Sequence, residues 1–310
     1  MHVTYFIGKT LRAIATMLLV VTFVFVVLRL TGDPAYIILP EEATDQDRAE
    51  FRAEWGLDQP IHVQYMVYLG NVVTGDMGQS FRDKRDVSII MAERLPKTVK
   101  LMALSLLFSL IVAIPLGITS ALHRNTFIDR FSMSFSVFGF SMPNFFLGIL
   151  LILIFSIHLR VLPSSGSDTW RHIILPLITT GSFYMAQFTR FTRSSMLSVL
   201  NKPYIRTAIA GGLSRNRVIY GHALPNAAIP IITILGGLIG RMVSGTIVIE
   251  TVFAWPGVGR LLVTSVGARD LSVVQAIVLL LSLSIVIANL IVDLLYGVLD
   301  PRIRTKKGGA

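Results

Sequence analysis

Gly8-Lys9-Thr10 would be the end of a phosphate-cradling loop if a second glycine stood five residues upstream of Gly8 and a strand led into it. The upstream position is Val3, and no strand precedes it. Lys9 therefore reads as a basic residue flanking a membrane segment. The six histidines (His2, His62, His123, His158, His172 and His222) show no ligand spacing, so no metal site can be argued from them. The chain has no cysteine, which excludes disulfides, thiolate metal sites and cysteine nucleophiles together. Nothing resembles a nucleophile elbow or a paired-carboxylate site. The expectation is a chain with no catalytic residues, no metal and no cofactor of its own.

Two groups could act without making or breaking bonds. The first is the run from Asn201 to Ser214, Asn-Lys-Pro-Tyr-Ile-Arg-Thr-Ala-Ile-Ala-Gly-Gly-Leu-Ser. Asn201 can cap a helix, and Pro203 is tolerated in its first turn. Ile205, Ala208 and Ile209 then share one face. Gly211-Gly212 ends that helix, Ser214 can cap a second, and Pro225 closes it. Two short helices joined by a tight elbow suit either an amphipathic interfacial loop or a docking knob for a partner. The second group centres on Arg241, inside an apolar run where an arginine costs roughly 2.5 to 3.5 kcal/mol on insertion scales. Gly237 and Gly245 flank it one turn either way on the same helical face, leaving room for the guanidinium or for a passing solute. Arg241 either faces a translocation pathway, where its fork suits a carboxylate or phosphate, or it snorkels or pairs within the bundle.

The elements that must position these groups are set by composition. Hydrophobic residues make up 53% of the 310-residue chain and charged residues 15%, against the roughly 25% charged expected of soluble domains. With a mean hydropathy of +0.67, the question is where the membrane spans lie. The length holds about six spans of ~20 residues plus loops. The net charge of +10 does not form one solvated patch; basic residues sit at the ends of apolar runs, which argues against nucleic acid.

The expected spans are 10–30, 99–121 with a kink at Pro115, 131–158, 173–189, 225–249 and 273–298. The first is taken as an uncleaved span, because no small-residue cleavage site follows it. Residues 31–97 hold twelve acids against seven Lys or Arg, with Pro40, Pro60 and Pro96 as breakers, and should face outward. Within them Thr44–Trp55 and Val63–Val73 look like short amphipathic helices. Residues 190–222 hold six Lys or Arg and no acid, which with Arg302, Arg304, Lys306 and Lys307 assigns the cytoplasmic side. Both termini are then cytoplasmic. Along the fifth span Gly236, Gly240 and Ser244 recur every four residues, a stripe that favours close helix packing over substrate contact. Asn289 and Asp293 lie one turn apart in the sixth, as a structural pair or as gating groups.

The stretch from Tyr204 to Asn226 resembles the "EAA" coupling loop of permease subunits of ATP-binding-cassette importers, with Ala208, Gly212, Leu213 and His222-Ala223-Leu224-Pro225-Asn226 in place. Further segments resemble the dipeptide, oligopeptide, glutathione and nickel branch: Gly32-Asp33-Pro34, Gly56-Leu57-Asp58-Gln59-Pro60, Arg94-Leu95-Pro96, Glu250 to Arg260 (ETVFAWPGVGR) and Asp300-Pro301-Arg302-Ile303-Arg304. Gly211 departs from the pattern, standing where relatives usually carry Lys or Arg.

The resemblance implies an all-α integral membrane protein. It has six transmembrane helices, a cytoplasmic coupling helix and an extracytoplasmic region after the first span. The expected divisions are 1–30, first span; 31–97, extracytoplasmic segment; 98–299, five-helix permease core with its coupling loop at 201–222; and 300–310, basic cytoplasmic tail. It further implies a channel-forming subunit in the bacterial inner membrane, importing peptide-like or related small solutes. The implied partners are a second homologous permease, two cytoplasmic ATP-binding subunits with their ATP and magnesium, an extracytoplasmic binding protein and membrane lipid. Contact with the ATPase would fall to Tyr204, Ile205, Arg206, Ala208, Ile209, Gly211, Gly212, Leu213 and Ser214. A secondary transporter driven by an ion gradient is the rival; it calls for buried carboxylates and paired interrupted helices in repeated halves.

Overall fold

Thr44 opens the first helix of the acidic stretch with a capping box: its hydroxyl accepts from the Asp47 amide at 3.2 Å, and the Asp47 carboxylate accepts from the Thr44 amide at 2.8 Å. Gly75, at φ +79°, closes the next helix in the left-handed region where glycine carries no penalty. These local signals place elements along a chain that a computed structural model describes over residues 2–30, 32–33, 35–36 and 39–299. Within those helices, the side chains of residues 2–7, 9, 28, 140, 229, 233–245, 289 and 291–299 are outside the description.

The described residues are helical, with one isolated bridge between Gln79 and Asp86. In chain order the helices are α1 (His2–Leu30), α2 (Asp45–Glu54), α3 (Ile61–Thr74), α4 (Val87–Leu122), α5 (Phe127–Ser141) and α6 (Asn144–Leu151). They continue as α7 (Ile174–Leu200), α8 (Pro203–Ala210), α9 (Leu224–Val252), α10 (Val258–Gly267) and α11 (Leu271–Leu299). Two wider π-helical stretches, Ile152–His158 and Arg217–Ala223, extend α6 and lead into α9. Among the described residues three helices are long and apolar enough to cross a membrane: α1, α4 and α11. A fourth span results if α5 and α6, bent by 98° at the Met142-Pro143 break, are taken together.

Several boundaries differ from expectation. The second apolar helix begins at Val87, so Arg94-Leu95-Pro96 lies inside α4, and helix also runs unbroken through Pro115. Pro96 comes nine residues into a 36-residue helix, too far along for a first-turn proline, and neighbouring turns absorb the missing bond. The helix that holds the fourth expected span, 173–189, is α7, and it continues to Leu200, since nothing at the end of an apolar run breaks a backbone ladder. Pro225 does not close a helix; it sits in the first turn of α9, after the π-helical stretch. There i→i+5 bonding widens the turn, and helix continues to Val252 through Pro230 as well. The basic tail, 300–310, lies outside the described residues.

The chain divides into two units, Met1–Lys97 with Gly257–Ile287, and Thr98–Pro256 with Ala288–Ala310. The first is organised by Asp270. Its carboxylate accepts from Ser80 Oγ and from the Phe81 amide at 3.2 Å, and its own amide donates to the Ser265 carbonyl at 2.9 Å. One 4%-exposed side chain thereby ties the 78–87 hairpin to the start of α11. Val87, Ile90, Met91, Val258, Val273, Ala276 and Ile277 form the core beside it. Asp33 joins the end of α1 to α2, accepting from Arg52 Nε at 2.8 Å and from the Ala35 amide at 3.0 Å. Partial burial pushes the Asp33 carboxyl up, but the hydrogen bonds from Arg52 and Ala35 outweigh it and hold the carboxyl below its ordinary range.

In the second unit α7 is the hub, packing most extensively on α9 and α5. Tyr184, Met185 and Phe188 meet Ala113 of α4 and Ile231 of α9 in one cluster. Backbones approach closely at two glycines. A Cβ on Gly117 would lie 2.5 Å from Thr192 Cβ, and one on Gly181 would lie 3.2 Å from the Ser105 carbonyl oxygen.

Candidate functional site: the elbow and its mount

Pro203 starts α8 in its first turn, with Lys202 as the extended residue before it. The expected cap, Asn201, acts on the other side: its Nδ2 donates to the Leu197 carbonyl at 3.0 Å, satisfying the end of α7. A Schellman motif closes α8. The Gly212 amide donates to the Ile209 carbonyl at 3.0 Å, and the Leu213 amide to the Ala208 carbonyl at 3.3 Å. Gly212 is at φ +78° with open space where a Cβ would stand, so glycine is needed there for its backbone angle and not for a close contact. Gly211, at φ −75°, carries no such requirement.

The elbow has two faces. Ile205, 1% exposed, packs with Ala208 and Leu213 against Ile118 and Ala121 of α4, Met196 of α7, and Val218, Ile219 and Ala223 of the π-helical stretch. Burying side chains of this kind is worth about 1.5 to 3 kcal/mol each, so α8 is anchored through one face. Ile209 does not share that face: it is 60% exposed, as Tyr204 is 43% and Tyr220 57%. Arg206, Gly211, Gly212 and Ser214 are exposed as well. The predicted group thus separates into an inward set that mounts the elbow and an outward apolar set rimmed by Arg206.

An ion pair that was not anticipated braces the mount. Arg193 grips Asp129 through two hydrogen bonds, Nε to Oδ1 at 2.6 Å and Nη2 to Oδ2 at 2.8 Å. Ser120 Oγ and the Asn125 amide, at 2.9 Å, also donate to that carboxylate, which is 3% exposed. The α4–α5 turn is thereby locked to α7 one helical turn before Met196. In the sequence Arg193 counts among the basic residues that set orientation and Asp129 lies in a short loop, so no spacing rule joins them.

Arg241, Gly237 and Gly245 fall within α9, but their side chains are outside the described residues. The same holds for Gly236, Gly240, Ser244, Asn289 and Asp293. Glu250, two turns on, is fully buried and accepts from Thr98 Oγ1 at 2.7 Å. No cluster of His, Asp or Glu suited to a metal occurs among the described residues.

The family model described as "binding-protein-dependent transport system inner membrane component" matches residues 113–305, and the model for the N-terminal part of such components matches residues 2–102. The chain is 44% identical over 303 residues to the glutathione transport system permease protein GsiC of Escherichia coli strain K12, covering 97% of this chain and 99% of that one. GsiC of Salmonella typhimurium matches with the same identity and coverage. A chain of the MetNI methionine ABC transporter, in an inward-facing conformation, has a TM-score of 0.58 at 15% identity, covering 68% of this chain and 96% of its own. That likeness is one of fold.

Proposed function

We infer, because the chain belongs to the family of binding-protein-dependent transport system inner-membrane components, that it forms one half of the channel of an ATP-driven importer for small peptide-like solutes. A second, homologous permease supplies the other half. Two cytoplasmic ATP-binding subunits, carrying ATP and magnesium, drive the pair, and an extracytoplasmic binding protein delivers the cargo. Six spans put both termini in the cytoplasm: α1, α4, α5 with α6, α7, α9 and α11. α7 with 27 residues and α9 with 29 reach about 40 Å at 1.5 Å per residue, enough to cross.

The observation that carries this reading is the two-faced elbow. A helix anchored by Ile205 while presenting Tyr204 and Ile209 outward is built to transmit force from a docked partner. In that role Tyr204, Arg206 and Ile209 meet the ATPase; Ile205, Ala208 and Leu213 pass its movement to α4 and α7; Gly211, Gly212 and Ser214 shape the elbow. Transport subunits couple to their motors by such packed, two-state contacts. Glutathione, the solute for which the GsiC relatives are named, is a small peptide with two carboxylates. An anionic peptide of that kind suits an arginine in the pathway, the role proposed for Arg241 with Gly237 and Gly245.

The test is Gly212→Val in the assembled transporter. Membrane insertion and subunit assembly should persist while ligand-stimulated ATP hydrolysis falls to the unstimulated rate. Full stimulation and transport in that variant would remove the elbow from the coupling role.

A further inference from the structure

A cavity of about 270 Å³ in the first unit has no part in the coupling described above. Its walls are the later turns of α1 with Phe25 and Arg29, the α2–α3 region with Trp55 and Gln64, and the first turns of α11 with Leu271 and Gln275. Trp55 Nε1 and Gln64 Oε1 are buried without a hydrogen-bond partner. Leaving such groups unmet is costly, and a ligand that offers an acceptor to one and a donor to the other would relieve it. Turning the Gln64 amide over is no remedy, because its Nε2 already donates to the Leu57 and Gln59 carbonyls at 3.1 and 2.7 Å. Arg29 lies 5.3 Å from the Phe25 ring and takes part in none of the ion pairs among the described residues.

Depth identifies the occupant. α1 ends at Leu30 with Arg29 in its last turn and α11 begins at Leu271, so the cavity lies at the ends of two apolar helices, the edge of the hydrocarbon layer. Arginine and tryptophan are the side chains that favour that level. Val67 lines the cavity and is 56% exposed, next to Met66 at 66%, so the cavity lies beside an apolar surface. A phospholipid reaches such a site sideways from the bilayer. A protein loop would come from water.

We propose that this cavity binds a phospholipid. Its phosphate takes Arg29 and Trp55 Nε1, and its chains lie against Phe25, Leu271 and Leu279. A headgroup donor, the ammonium of ethanolamine or the hydroxyl of glycerol, takes Gln64 Oε1 and the Asp76 carboxylate, which also lines the space. Which leaflet supplies the lipid follows from the six-span topology; the binding itself does not depend on it.

Native mass spectrometry of the complete transporter tests this, after reconstitution in phosphatidylethanolamine and phosphatidylglycerol followed by graded delipidation. Wild type should keep a phospholipid that survives washing. Arg29→Gln should lower its retention about tenfold, the scale of one lost charge-assisted hydrogen bond. Val67→Trp, placed at the apolar rim, should lower it with Arg29 intact. Added inorganic phosphate should not displace it. Equal retention in wild type and both variants, or no retained lipid in wild type, overturns the proposal. So does displacement by phosphate alone, or crosslinking of a photoreactive residue at position 67 to the binding protein instead of to lipid.

Discussion

Gly212 shows how one absent carbon can set a mechanism. Its φ of +78° costs an ordinary side chain about 1 to 2 kcal/mol, and a β-branched one more. Asparagine is tolerated in that region, so Gly212→Asn should retain most ligand-stimulated ATP hydrolysis where Gly212→Val loses it. Equal loss in both would mean that the position matters for a contact and not for its backbone angle. At Asp129 the issue is charge. Arg193→Met leaves a nearly buried carboxylate without its cation, a change of about 3 to 5 kcal/mol that should lower the thermal midpoint of the detergent-solubilised subunit. Replacing both partners, Asp129→Leu with Arg193→Met, should recover much of that loss.

Helix ends are where reading from residues and observed structure part company. The two short helices of the acidic stretch, expected over Thr44–Trp55 and Val63–Val73 from their apolar pattern, are Asp45–Glu54 and Ile61–Thr74, bounded by local signals at Thr44 and Gly75. The Gly211-Gly212 stop was legible for the same reason. Pro96 and Pro225 were misleading as helix ends because a proline's effect depends on what the surrounding turns can absorb, which a π-helical stretch decides at Arg217–Ala223. Spacing puts Ile209 on one face with Ile205 and Ala208, whereas Ile205 is buried and Ile209 is 60% exposed, because spacing along a helix does not say how far the mount reaches around it. The Asp129–Arg193 pair spans 64 residues and had no local sign at all. Side assignment can be checked directly in a chain without cysteine. Single cysteines at Ser88 and Ser165, both exposed, should react with an impermeant thiol reagent added outside sealed cells, and one at Ser214 should not. Outside labelling at Ser214 reverses the orientation.

For the whole molecule, the family places the energy source in other subunits, so transport into vesicles should require ATP hydrolysis and continue when the proton gradient is collapsed. Arg241→Leu should assemble normally and leave ligand binding to the binding protein unchanged while transport slows. Unaltered transport rates and substrate range in that variant would take Arg241 out of the pathway.

Two close approaches, Gly117 to Thr192 and Gly181 to Ser105, pin α7 to α4 eleven residues apart, about 16 Å at 1.5 Å per residue. A helix held at two points cannot swing about either one, so α4 and α7 must travel as one rigid plank. Spin labels on the two helices should keep one separation across nucleotide states, and Gly117→Leu, which forces the backbones apart at one pin, should broaden it.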